Sequence, residues 1–354
     1  MKTFASPAPA GRSDQTLAHN MKLLAHHELE GFGGMGEGIA MQLTDDGRRV
    51  LWMAHESGPK NFTAVDVTDP RSPRVLVQTE LPHMKVRSNS LDVSGNLMAV
   101  AYQTQTAGMK PAGFDLFDIS VPERPRLISH FDCSGPFSRG VHALWFVDGK
   151  TVHMSSGAPD FEPHNPLDDQ IYRIVDVSDP SHPVEAGRWW MPGTRVGDTA
   201  PQPQRLQKKF DSGFRVHNTN VFPDHPDRAY IGYLDGGAVV LDISDKSNIK
   251  VASHWNHSPP FNGFTHTVLP LFSRDLWIVS DECVQDNGGD WPKLVWVVDA
   301  RSEANPLPIS TFPMPPPEAF IKRGGRFGSH NLHENQPVPT SFRSDTIIIG
   351  TFFN

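Results

Sequence analysis

Short apolar runs, each closed by an aspartate, recur along the chain: Ala64-Val65-Asp66, Leu116-Phe117-Asp118, Ile174-Val175-Asp176, Val240-Leu241-Asp242 and a degenerate Val297-Val298-Asp299. A turn follows each, written Val67-Thr68-Asp69-Pro70 in the first copy and Val177-Ser178-Asp179-Pro180 in the third. Aspartate accepts hydrogen bonds from amides just downstream of itself, and proline presets the φ of the turn, so the pattern predicts a tight strand-to-strand connection. The fourth and fifth copies depart from it, with Asp245-Lys246 and Arg301-Ser302 in place of the Asp-Pro pair. Another short strand comes after every turn, as in Pro73-Arg74-Val75-Leu76-Val77 and Pro125-Arg126-Leu127-Ile128-Ser129. No long stretch repeats its apolar residues at the helical period. Each unit spans about 50–65 residues and reads as four strands, the sequence signature of a propeller blade.

A second periodicity opens the same units. The segments Gly36-Glu37-Gly38-Ile39, Ser88-Asn89-Ser90-Leu91, Val141-His142-Ala143-Leu144, Val216-His217-Asn218-Thr219, Thr265-His266-Thr267-Val268 and Ser329-His330-Asn331-Leu332 align on the residue two positions after the polar one. Radially arranged repeats bring equivalent positions to one axis. His142, His217, His266 and His330 are therefore expected to form a metal site, with the side near Glu37 and Asn89 open to water or substrate. A lone strand histidine is ordinarily a hydrogen-bonded core residue; four at one repeated position point to a ligand set. Imidazole suits zinc, copper, iron and nickel, so one transition-metal ion is expected, iron or zinc first, with copper, manganese or nickel as alternatives.

With these two motifs the chain resembles the LVIVD-repeat family of β-propellers over residues 21–354. The resemblance implies an all-β fold, and the repeat count makes it a six-bladed β-propeller. Residues 1–20 are expected as a flexible N-terminal arm ahead of a single domain at 21–354. Met21 to Leu29 matches the pattern of Pro125 to Asp132 and is expected as the outer strand of the last blade, which would close the ring. That blade is expected to be incomplete in this chain, because no further Val-Asp strand follows the segment around Phe352. A C-terminal segment or a second chain is expected to fill the slot.

The longer insertions, around 102–113, 155–170, 192–214, 281–293 and 313–328, all fall in connections that leave the sheet on the face where the histidine strands begin. Long loops on one face of a compact domain are usually functional. Glu37, His55 and Glu282 reach the same mouth and are the candidate catalytic groups, Glu37 as a general base or as a group orienting a ligand. Arg87, Arg139, Arg215 and Arg326 recur just before the channel positions and are expected to pin loops or to meet an anion. Phe32, Phe137, Phe161, Phe214, Trp291, Phe320 and Phe327 suggest an apolar or aromatic substrate.

Composition narrows the class. A net charge of -8 argues against a nucleic-acid partner, which needs a basic face. Two cysteines, Cys133 and Cys283, do not make a disulfide framework. The first twenty residues lack the apolar core of a signal peptide, and no apolar stretch is long enough to span a bilayer. The expectation is a cytoplasmic protein, or a secreted one already trimmed, with a small-molecule substrate and no membrane or nucleic-acid partner. Its function is expected to be metal-dependent hydrolase, lyase or oxygenase chemistry. The alternative is a non-catalytic propeller scaffold that binds a protein or ligand on its loop-rich face.

Overall fold

In the computed structural model, residues 20–32 and 34–353 are described. The chain folds as successive antiparallel sheets, each built from strands adjacent in sequence. The first contains β1 (Ile39–Leu43), β2 (Arg49–Ala54), β3 (Lys60–Asp66) and β4 (Arg74–Glu80). In the second, β5 (Val86–Arg87) and β6 (Leu91–Ser94) both pair with β7 (Leu97–Thr104), followed by β8 (Gly113–Asp118) and β9 (Arg126–Asp132). The third holds β10 (Val141–Trp145), β11 (Thr151–Ser156), β12 (Ile171–Asp176) and β13 (Val184–Trp189). The fourth holds β14 (Thr219–Phe222), β15 (His225–Gly232), β16 (Ala238–Asp242) and β17 (Lys250–Trp255). The fifth holds β18 (Thr265–Leu271), β19 (Leu276–Asp281), β20 (Val295–Asp299) and β21 (Leu307–Thr311), and the last pairs β22 (Gly328–Leu332) with β23 (Gly350–Phe353). This is an all-β, propeller-type architecture. Among the described residues no helix is long and apolar enough to cross a membrane.

The turn chemistry read from the sequence is present in every copy. Asp66, Asp118, Asp176, Asp242 and Asp299 each accept a hydrogen bond from the amide two residues on, at 2.8–3.0 Å. Asp245, which lacks the following proline, still accepts from Ser247 N at 3.0 Å. The departure from Asp-Pro therefore leaves the aspartate's bond intact.

Cores lie between neighbouring sheets. Trp52, Phe62, Met98 and Phe117 join the first two, Phe114, Phe146 and Met154 the second and third, and Trp145, Tyr230, Trp277 and Trp296 run through the third to fifth. Leu269, Ile278 and Leu332 tie the fifth to the last. Where sheets meet near the axis the backbones touch. A Cβ on Gly38 would lie 2.1 Å from Leu91 N, and one on Gly232 would lie 1.9 Å from the His266 carbonyl oxygen. Thr340 Oγ1 donates to the Met41 carbonyl at 2.8 Å, joining the last sheet's connection to the first sheet.

The N-terminal segment departs from expectation. Among the described residues no ladder includes Met21 to Glu28. Leu29 is instead buried against Met53, Val65 and Val75 of the first sheet, and its carbonyl accepts from Gln78 Nε2 at 3.0 Å. The physical reason is that the first sheet offers an apolar patch, whereas the last sheet, among the described residues, pairs only β22 with β23. The arm expected over 1–20 lies, apart from Asn20, outside the described residues.

Candidate metal centre

The four repeated histidines converge. His142 Nε2 and His217 Nε2 are 2.8 Å apart. The ring centroids of His217 and His266 are 3.8 Å apart, and those of His266 and His330 are 4.9 Å apart. Three of these side chains sit at irregular backbone, His330 among them, where the β22–β23 ladder shifts between Ser329 and Leu332. The β10–β11 ladder shifts register at His142 and the β18–β19 ladder shifts at His266, and a bulge redirects a side chain that regular pleating would place elsewhere.

Both glutamates expected at the mouth join the cluster. Glu37 Oε2 is 3.5 Å from His266 Nε2, and its Oε1 is 3.9 Å from His330 Nε2. Glu282 lies 3.7 Å from His330 Nε2 and 3.9 Å from His217 Nε2. Three overlapping triads result, Glu37–His142–His217, Glu37–His266–His330 and His217–His266–Glu282, each with donor atoms within 4.8 Å of one another. Glu37 thus joins the donor cluster on the side expected to be open, and it also lines the cavity. Asn89, the remaining repeat position, is fully buried with no partner for either side-chain amide atom, and it does not line the cavity.

Three rings are oriented through Nδ1. Gln103 Oε1 is 3.1 Å from His142 Nδ1, Asn218 Oδ1 is 2.8 Å from His217 Nδ1, and Thr267 Oγ1 is 2.7 Å from His266 Nδ1. Such outer partners fix which nitrogen faces a metal. His330 is held differently, stacked on Phe353 at 4.7 Å. The Nε2 atoms of His266 and His330 are buried and have no hydrogen-bond partner in the protein. Buried polar atoms are normally satisfied, and two orphaned imidazole nitrogens aimed into one cluster fit a metal ion.

Electrostatics divide the cluster. Burial holds His142 and His217 well below the ordinary imidazole range and takes His330 down to about 3. Burial opposes the charge on His266 as well, but the Glu37 carboxylate 3.5 Å from its Nε2 overcomes it and pushes His266 up. Glu37 is conversely held well below the usual carboxylate range by His266 and its neighbours, against the effect of burial. Burial, together with repulsion from Glu37, pushes Glu282 up to about 7 despite His266 and Arg326. Burial thus favours neutral imidazole at His142, His217 and His330, the form that binds metals, while Glu37 favours the charged form at His266.

Above the cluster opens a cavity of about 1520 Å³. Residues from the long insertions form its wall, among them Gln170, Lys209, Gln285 and Arg326, so the loops expected on the functional face do meet there. Beneath it, the connection after β22 crosses the channel. Glu334 is half-buried and accepts from Asn218 Nδ2 and, at 3.1 Å, from Asn220 Nδ2.

The expected residues do not all arrive. His55 is fully buried and both its ring nitrogens are engaged, with Gly34 O and, at 2.7 Å, with Thr63 Oγ1. Its neighbour Glu56 lines the cavity instead. Strand alternation explains this, since adjacent residues point to opposite sides. None of the seven aromatics expected at the mouth lines the cavity. Phe161 and Phe327 are buried, against Trp190 and against Trp291 respectively, and Phe32 meets the edge of His55. The aromatic wall is Phe264, Phe352 and Phe353. His333, three residues after His330, turns away to Asn335 Oδ1 at 2.9 Å. Gln103 and Glu334 escaped the sequence reading because neither sits at a repeated position.

No curated protein matches the chain. Among solved structures it is similar to the periplasmic gluconolactonase PpgL of Pseudomonas aeruginosa, with 12% identity over 77% of this chain and 84% of that one, at a TM-score of 0.43. It is also similar to U3-55K, with 10% identity over 78% of this chain and 66% of that one, at a TM-score of 0.45. Likeness of this degree says nothing about the site. The repeats themselves are matched more directly: residues 169–190, which include β12 and β13, and residues 227–256, which include β16 and β17, match the LVIVD repeat.

Proposed function

We propose that this protein is a metal-dependent enzyme acting on a small organic molecule, with its site on the axis of a closed six-bladed propeller. The observation that carries the reading is the convergence of four imidazoles and two carboxylates in which the Nε2 atoms of His266 and His330 are buried without a partner. His142, His217, His266 and His330 would hold the ion, with Glu37 and Glu282 within reach. When bound, a transition metal at such a donor set supplies Lewis acidity toward a substrate oxygen or a water, or, if it is iron, reactivity toward dioxygen. A hydrolase, a lyase and an oxygenase all fit that chemistry.

The surrounding residues supply the rest. Gln103, Asn218 and Thr267 keep three imidazoles in register. Glu282, poised near neutrality by burial and held by Arg326 Nη1 at 3.0 Å, can take up or release a proton at the cavity floor, which is the property a general acid–base needs. Phe264, Phe353 and Val284 give the cavity an apolar side that excludes water from part of a bound molecule.

Metal analysis of the purified protein tests the reading. The expected result is about one equivalent of iron or zinc, lost in His217→Ala with an unchanged circular-dichroism spectrum. Metal-free protein with an intact fold, after growth and refolding in each candidate metal, overturns the enzyme and leaves the binding scaffold.

A further inference from the structure

The cavity wall carries four arginines, Arg87, Arg139, Arg215 and Arg326, and their carboxylate partners are unequal. Arg87 contacts Glu56, and Arg326 Nη1 donates to Glu282 Oε1 at 3.0 Å. Arg139 and Arg215 share a single carboxylate. Arg139 Nε donates to Asp169 Oδ2 at 2.5 Å, and Arg215 Nη1 donates to Asp169 Oδ1 at 3.2 Å. Asp169 is buried behind the pair and does not line the cavity, whereas both arginines do.

Within this pair two guanidiniums thus share one carboxylate, and unmatched donors lie beside them. Gln170, next to the shared aspartate, lines the cavity, is 3% exposed, and has no acceptor for its Nε2. Arg215 Nε is likewise buried without an acceptor. An under-compensated buried charge and an orphan amide donor are both costly, and a single ligand with acceptor oxygens relieves both.

We propose that Arg139, Arg215 and Gln170 form an anion subsite that takes the carboxylate of a small organic monoacid. A monoanion matches the one guanidinium charge of the Arg139–Arg215 pair that Asp169 leaves uncompensated, whereas a phosphate brings about two. Arginine is also the side chain best shaped to hold a carboxylate through paired donors. The location gives the subsite its use. Arg139 and Arg215 stand three and two residues before His142 and His217, whose Nε2 atoms are 2.8 Å apart. A carboxylate held there directs the rest of the molecule over those rings and toward Phe264, whose ring centroid is 6.2 Å from that of His217. The inference deepens the proposed function and rests on it for the identity of the bound molecule as substrate, while the subsite itself needs no metal.

Calorimetric titration of the full chain with acetate, butyrate and benzoate, and with neutral benzamide as control, tests it in metal-loaded and metal-stripped protein. The expected result is one carboxylate bound per chain in both forms, with benzamide at least about tenfold weaker, and a loss of about tenfold or more in both Arg139→Gln and Arg215→Gln. Metal content and melting temperature are expected to stay unchanged in those variants. Arg139 is the more exposed of the two, so R139Q serves alone if R215Q does not fold. Three outcomes overturn the subsite: no binding by any of the three acids, equal binding of benzoate and benzamide, or carboxylate binding that survives both arginine substitutions. Binding that vanishes on metal stripping yet survives the substitutions assigns the anion to the metal and overturns it too. Binding retained in a protein that never takes up metal leaves the subsite standing while the enzyme reading falls.

Discussion

Glu37 Oε2 lies 3.5 Å from His266 Nε2, so a carboxylate beside the first sheet faces an imidazole of the fifth across the channel. Glu37 belongs to two of the three triads, and no other carboxylate reaches both ends of the cluster. Glu37→Gln keeps the shape and removes the charge. Retention of metal against a chelator is expected to weaken about 10–100-fold in this variant, with the fold unchanged. Glu56→Gln, on the wall and paired with Arg87, is expected to leave metal retention within about twofold of the parent, as expected for a group outside the triads. Equal retention in E37Q and the parent would remove Glu37 from the site.

A buried aspartate away from the cluster gives stability a pH dependence of known sign. Asp235 Oδ2 accepts from Ser212 N at 2.7 Å and Gly213 N at 3.1 Å, while Oδ1 is buried without a partner. Burial, reinforced by Asp211, pushes Asp235 up to about 7, against an unfolded value near 4. The folded state thus binds more protons between those limits, and its stability falls as pH rises from about 4 to about 7. In Asp235→Asn the amide oxygen can keep both backbone bonds while an NH2 replaces the orphaned oxygen. Urea unfolding should show the variant gaining about 1–3 kcal/mol on the parent at pH 8 and little at pH 5. Some slope should persist, because burial also raises Asp92 to about 7.

Close backbone contact between the fourth and fifth sheets supports His266. A Cβ at Gly232 would meet the His266 carbonyl oxygen at 1.9 Å, and that oxygen cannot yield without moving the bulge that aims the ring. Gly232→Ala is expected to destabilise the protein by about 1–3 kcal/mol and to lower metal occupancy in the folded fraction. Chemical denaturation and metal analysis of the same sample check both effects, and full occupancy would show that the bulge tolerates the shift.

The two cysteines should be silent in the native state. Cys133 and Cys283 are both buried and free. Burial, with Asp290 beside it, pushes the Cys283 thiol up to about 12, and burial also raises Cys133. Reaction with a disulfide reagent needs an exposed thiolate. At pH 8 the native chain is expected to react at neither thiol over an hour, and the denatured chain at both. Prompt native labelling of Cys283 would mean that the 281–293 loop opens.

The strand–aspartate–turn repeats and the alignment of His142, His217, His266 and His330 could be read from the chain alone. Turn chemistry acts within a few residues, as Asp66 with Thr68 N and Asp176 with Ser178 N show, and equivalent positions in successive repeats must face the same axis. Tertiary structure alone decided the rest. It turned His55 into the first sheet and Glu56 into the cavity, put Phe161 and Phe327 in cores, and placed Leu29 on Met53. It also brought Glu37 and Glu282 among the imidazoles and set Arg139 and Arg215 on one carboxylate. These outcomes depend on which distant segments share a surface. A loop or bulged strand turns its side chains toward whatever packing is available, and that packing exists only once the sheets have assembled.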